Sequence, residues 1–244
     1  MRGAHWHFEG LDVRGVCADD SACEHAFHVV GGAVGFVLRL SRVLDFNAQL
    51  KVNGALVDGV MTLPHGGLVE GNDVSDTRPR STENPVTKLN IDSVDRSVVR
   101  ANVLRDFHKD GGNGTSYGAF MKRGGSGGRF ERNLVLCTRD VTTGGTRIGL
   151  SFGGGGTGPQ FCAPAFDAAV PCDVEHTGGV LQNNIVVACS DVAVYLNRSA
   201  ATKVLFNTFI AISGLDFRFD NTSGEAVANV LSGAIRDRDG ATSA

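Results

Sequence analysis

Apolar residues recur along the chain in short alternating runs rich in β-branched and aromatic residues. Each run is broken by Gly, Asn, Asp or Ser, and no apolar stripe of helical period is sustained. The pattern predicts many short strands and almost no helix. Seven runs align as one repeat: Ala26–Val30, Ala48–Val52, Val86–Asn90, Gly118–Lys122, Gly149–Gly153, Ala193–Asn197 and Asp216–Asp220. Their second and fourth places are mostly apolar, so strand alternation turns those places to a core and the third and fifth outward. Lys51 falls at an inward place, which implies either a slipped register in that run or a position near an end.

About ten or more residues after most of these comes a second run that ends on asparagine, at Asn72, Asn102, Asn133, Asn184, Asn207 and Asn229, the last two intervals being 23 and 22 residues. A coil of that length, with several short strands and a polar residue at a fixed corner, is the period of a parallel β-helix. Asparagine suits the corner because it tolerates left-handed backbone angles and because its amide can bond backbone groups and stack on the amide of the next coil. The expected fold is therefore all-β, a right-handed parallel β-helix of about 22 residues per coil, with residues 1–244 as one domain. Its start, HWHFEGLDV, already reads as strand, so coils and a signal peptide are expected to precede it. The longer intervals mark insertions, at TRPRSTENP and at a loop over about 154–178. Such loops on a solenoid usually line one groove.

With 33 glycines and 6 prolines the chain is built for tight turns, and a net charge of −3 without a basic, aromatic-interleaved cluster argues against a nucleic-acid surface. No apolar run approaches the ~20 residues that span a bilayer. Six cysteines point to disulfides and an extracellular or periplasmic location. Cys17 with Cys23 and Cys162 with Cys172 enclose short loops, and the repeat alignment leaves Cys137 with Cys189. The chain is expected to act as a monomer.

The coil with its Asn-bearing corners resembles the pectate-lyase-like superfamily over nearly the whole length. Tyr117–Lys122 followed by Phe130–Asn133 is most similar to a coil of the alginate-lyase and chondroitinase-B type enzymes. That resemblance implies an exported protein acting on a polysaccharide, with Lys122 as the base of a β-elimination. The enzymes of that type carry two acidic metal ligands shortly before the lysine, where this chain has Thr115, Ser116 and Tyr117. They carry an arginine one coil later, where this chain has Ser151 to Gly153, leaving Arg147 or Arg123 to substitute. The paired-aspartate signature of the polygalacturonase branch is missing.

The outward places stack into a strip of His28, Lys88, Asn90, Phe120, Lys122, Ser151, Gly153, Tyr195, Asn197, Arg218 and Asp220. Cations for carboxylates, amides for hydroxyls and flat rings for sugar faces are what an acidic sugar chain needs. The expected site is thus catalytic Lys122 and Arg147, with Lys88, Asn90, Phe120, Ser151, Tyr195, Asn197 and Arg218 binding substrate. The alternative is a non-catalytic surface or adhesion solenoid whose strip is merely solvated. Asp92 with Asp95, and Asp106 with His108 and Asp110, offer oxygen ligands for Ca²⁺, although solvated turn residues are the simpler account. His5 and His7 have alternate-strand spacing but no third metal ligand in view. Gly153–Gly156 lacks the GK[ST] of a phosphate loop and reads as an insertion.

Overall fold

The computed structural model describes residues 1–154 and 158–244. Every long strand pairing is parallel, and the chain winds through three sheets in turn, so that each coil contributes one strand to each. The first sheet has nine strands, from His7–Glu9 to Thr242–Ser243; the second has eight, from Asp12–Arg14 to Val230–Leu231; the third has eight, from His25–Val30 to Ala234–Arg238. This is the right-handed parallel β-helix that the repeat predicts. Among the described residues the only helical turns are two three-residue 3₁₀ segments, Asp20–Ala22 and Pro159–Phe161.

Alternation fills the core with side chains stacked coil upon coil. From the third sheet come Phe27, Leu50, Leu89, Ala119, Leu150, Val194 and Leu215, and beside them Val29, Val52, Ile91, Met121, Phe152, Leu196 and Phe217. Leu38, Val69, Val99, Phe130, Leu181 and Val204 meet them from the first sheet, and Val43, Val74, Leu104, Val135, Val186 and Phe209 from the second. Nearly all are completely buried, and each such side chain contributes about 1.5–3 kcal/mol of transfer free energy.

The corner between the first and second sheets holds the asparagines. The side-chain NH₂ of Asn102 donates to Asn133 Oδ1 at 3.0 Å, that of Asn133 to Asn184 Oδ1 at 2.9 Å, and the pattern continues from Asn72 through Asn207 to Asn229. Each amide also donates to a carbonyl of the preceding coil, as Asn133 does to Val99 at 2.9 Å. Ser41 occupies the ladder's first place, its backbone N–H donating to Asn72 Oδ1. The left-handed residue of this corner is not the asparagine but the one before it: Gly71, Ala101, Arg132, Asn183, Phe206 and Ala228 have φ between 53° and 68°. The asparagine is chosen for its amide, and the strain falls on its neighbour.

Three disulfides join the expected pairs, Cys17 with Cys23, Cys137 with Cys189 and Cys162 with Cys172. Among the described residues no helix is long and apolar enough to cross a membrane.

Candidate functional site

Pairing in the third sheet fixes which side chains share its outer face. One column runs His28, Lys51, Asn90, Phe120, Ser151, Tyr195, Asp216, Arg236; the next runs Asn53, Asp92, Lys122, Gly153, Asn197, Arg218, Arg238. Lys51 is therefore an outward residue, and the run Ala48–Val52 is displaced by one place from the sequence alignment. Val86–Asn90 and Asp216–Asp220 are each displaced by two.

Of the expected site residues, three are buried away from the groove and three gather elsewhere on the face. Lys88 lies at the place where the pairing register skips a residue, between Thr87 and Leu89, and at the equivalent Gly118 a Cβ would meet the core ring of Phe107 at 3.2 Å. Lys88 is fully buried, donating to Phe46 O at 2.7 Å and to the equally buried Asp76 carboxylate at 2.5 Å. Arg147, the second residue of the strand Thr146–Phe152 and in register with the buried Ser116, is tied down by Thr143 O at 2.6 Å and His108 Nδ1 at 3.1 Å. Ser151 is fully buried, its hydroxyl donating to backbone carbonyls of Gly153 and Tyr195. Tyr195, Asn197 and Arg218 do come together, with Arg218 Nη1 3.0 Å and Asn197 Nδ2 3.3 Å from the Tyr195 hydroxyl, but in a cluster of their own farther along the face.

The acidic turns are likewise occupied. Asp106 Oδ1 accepts from the backbone N–H groups of Arg139, Asp140 and Val141. Asp95 Oδ1 accepts from the N–H and hydroxyl of Ser126. Asp92 is no turn residue; it ends a strand and is completely buried. His5 sits in a turn with φ 58°, so it does not share a strand with His7. Of the glycine run, Gly153 packs so close to the next coil that a Cβ would stand 1.8 Å from Asn197 O, whereas Gly155 and Gly156 lie outside the described residues.

What remains is a groove of about 760 Å³ over the middle coils of the third sheet. Its floor carries Lys51, Asn90, Tyr117, Phe120, Lys122 and Arg123, and the segments leaving the second sheet, around Glu83–Pro85 and Lys109–Thr115, form one wall. Sequence alone marked Asn90, Phe120 and Lys122. It did not place Lys51, His25 and Tyr117 here, although the misfit of Lys51 with the inward places was the available signal.

Beneath Lys51 and Arg123 lies the completely buried Asp92. The Lys51 ammonium and Arg123 Nη1, the latter at 3.1 Å, both pair with its carboxylate. The Lys122 ammonium lies 4.4 Å over the Phe120 ring and, among the described residues, makes no ion pair. Burial pushes the Lys122 pKa below the usual lysine range and the charges of Arg123 and Lys51 push the same way, outweighing the pull of Asp92 and Glu175. Burial likewise lowers Lys51, against the opposing pull of Asp92. Burial raises the Tyr117 phenol well above its ordinary range, so it stays protonated. Its ring stands edge-on to Phe120 with centroids 5.5 Å apart. Three cations thus face two buried carboxylates, Asp92 and Glu175, which leaves a positive excess beside one amine that can lose its proton.

No protein-family model matches the chain, and no curated protein matches it. Among solved structures, the Agl-KA catalytic domain is similar over 97% of this chain at 12% sequence identity and a TM-score of 0.44. The chain spans about half, 53%, of that structure's length. A likeness of that degree says nothing about chemistry.

Proposed function

We propose that the groove binds an acidic polysaccharide and cleaves it by β-elimination, in the manner of the pectate-lyase-like enzymes whose coil Tyr117–Asn133 resembles. The observation that carries this reading is the convergence of Lys51, Lys122 and Arg123 around the buried Asp92 on the floor of a long groove. Lys51 and Arg123 supply the charge that a uronate carboxylate needs, and the Phe120 ring offers a flat apolar surface to a sugar face.

In the elimination, neutral Lys122 takes the proton from the carbon α to the carboxylate. The electron pair left behind becomes the new carbon–carbon double bond as the glycosidic carbon–oxygen bond breaks, and the departing oxygen takes a proton from the Tyr117 hydroxyl. Arg123 and Lys51 stabilise the charge that builds on the carboxylate as the proton leaves. A lysine whose proton is already loosened by burial suits the first step, and a phenol held protonated suits the last.

Incubation with alginate, pectate and glycosaminoglycans, read by the ultraviolet absorbance of the unsaturated product and by calorimetric binding, tests the reading. Product from one of these polymers, lost in Lys122→Gln, is the expected result. Binding without product would make the chain a carbohydrate-binding solenoid, and neither binding nor product from any of them overturns both.

A further inference from the structure

Beyond Lys51 and Arg123 the groove continues into a second hollow of about 710 Å³. One wall is the antiparallel hairpin of Ala55–Val57 and Val60–Thr62, and the other is the segment following the 3₁₀ turn Pro159–Phe161, which the Cys162–Cys172 disulfide braces. Lys51 and Arg123 line both hollows, held between them by their shared carboxylate, Asp92.

The chemistry changes across that pair. On the Lys122 side the lining is polar and cationic; on the far side Leu56, Met61, Phe161 and Phe166 present an alkyl group, a thioether and two rings. Leu56 is 67% exposed and Phe161 48%, unusual for large apolar side chains around a concavity beside a charged floor. The Arg123 guanidinium already lies over the Phe161 ring at 4.8 Å, so a flat π-face is the kind of neighbour this hollow accommodates. At the junction Lys51 and Arg123 keep part of their side chains in solvent, 14% and 23%, above the completely buried Asp92.

We propose that the second hollow is a subsite for an aromatic substituent, so that the preferred ligand is an acidic saccharide bearing an aryl group next to the sugar that carries its carboxylate. The carboxylate sits against Lys51 and Arg123, which line both hollows, and the ring lies among Leu56, Met61 and Phe166. This rests on the reading of the neighbouring groove as an anionic-saccharide site, and the test separates the two.

The measurement is calorimetric affinity for 4-nitrophenyl β-D-glucuronide, methyl β-D-glucuronide and 4-nitrophenyl β-D-glucoside. The aryl glucuronide is expected to bind about tenfold more tightly than the methyl compound, the gain expected from burying one ring, and more tightly than the neutral glucoside. Leu56→Asn, at a position two-thirds exposed on a hairpin, is expected to erase the aryl preference and leave methyl glucuronide affinity unchanged. Phe166→Ser provides a second route to the same result should the first variant lose its circular dichroism spectrum. Equal affinity for the two glucuronides, or a preference that survives both substitutions, overturns the aryl subsite while the anionic groove stands. A glucoside that binds as tightly as the glucuronide overturns the pairing of ring with carboxylate. Absence of binding by either glucuronide overturns the subsite and the anionic groove together.

Discussion

Arg123 Nη1 lies 3.1 Å from the carboxylate of Asp92, and the Lys51 ammonium engages the same carboxylate from the neighbouring coil. Asp92 is completely buried, whereas its partners keep 14% and 23% of their side chains in solvent. The carboxylate is what allows two cations to stand together on the floor of the groove. Asp92→Asn removes the compensation and leaves the cations facing each other. Breaking a largely buried ion pair in this way costs about 3 kcal/mol, and urea unfolding is expected to show a loss of that order. Lys51→Met is expected to cost less, because Arg123 still satisfies the acid. A double variant less destabilised than the sum of the singles would confirm the coupling; strict additivity would contradict it.

Lys122 carries the second prediction. Burial is the main force lowering its pKa, with Arg123 and Lys51 adding to it, so the neutral amine appears at lower pH than for an ordinary lysine. Elimination is expected to rise with pH as Lys122 loses its proton, along a limb that begins below the normal lysine range near 10.5. Lys122→Arg keeps the charge but cannot serve as a base near neutrality, so binding is expected to persist while product formation is lost. A carbon-13 titration of the lysine side chains would locate the group directly, and an Nζ titrating at the ordinary value would contradict the assignment.

The repeat was legible because one corner is read by a side chain that does not vary: six asparagines keep coil register even where insertions lengthen the interval. The outer face of the third sheet was legible in four of the seven aligned runs, Ala26–Val30 and Ala193–Asn197 among them. Gly118–Lys122 and Gly149–Gly153 were framed correctly, so Phe120 and Lys122 fell into place. Val86–Asn90 was framed two residues early, which put Lys88 on the surface although it is sealed against Asp76. The cause is the place where the pairing register skips a residue, at Lys88, Gly118 and Gly149, beside which a Cβ at Gly118 and the side chain of Ala119 both meet the core and break the two-residue period. Lys51 gave its warning in sequence, a charge at a core place, and the structure resolves it as a slipped frame. Nothing in the spacing of Arg147 reveals that the carbonyls of Thr143 and Gly144 hold its guanidinium.

The ladder itself makes a prediction for Asn133. Its NH₂ donates to Asn184 Oδ1 and to Val99 O, while its own Oδ1 accepts from the N–H and the NH₂ of Asn102. Asn133→Asp keeps the acceptor but removes both donors, setting a buried negative charge against two oxygens. Asn133→Ala removes everything and leaves buried groups on two coils unpaired, each costing ~1–3 kcal/mol. Both variants are expected to be strongly destabilised in thermal unfolding, the aspartate more so at pH 7 and less so as the pH falls far enough to protonate it. An unchanged melting temperature for Asn133→Ala would mean that the ladder follows the fold rather than holding it.

His176 predicts how stability depends on acid. Its ring is completely buried, stacks on Phe152 with centroids 4.3 Å apart, accepts from Gly128 N–H at 3.3 Å, and has no partner for Nδ1 among the described residues. Desolvation drives its pKa from the ordinary 6.5 down to about 3, with Asp95 opposing only weakly. Between those values the unfolded chain takes up a proton that the native imidazole refuses, so stability falls as pH drops through this window. The loss from this residue is about 2 kcal/mol between pH 7 and pH 5, near 1.4 kcal/mol for each unit below 6.5. His25 and His108 are also lowered by burial and slope the same way, so the decisive quantity is the difference between the native chain and His176→Gln, which retains an acceptor for Gly128. Urea midpoints of the two proteins are expected to converge as the pH falls from 7 to 5, and parallel curves would show that the imidazole finds room for its proton inside the coil.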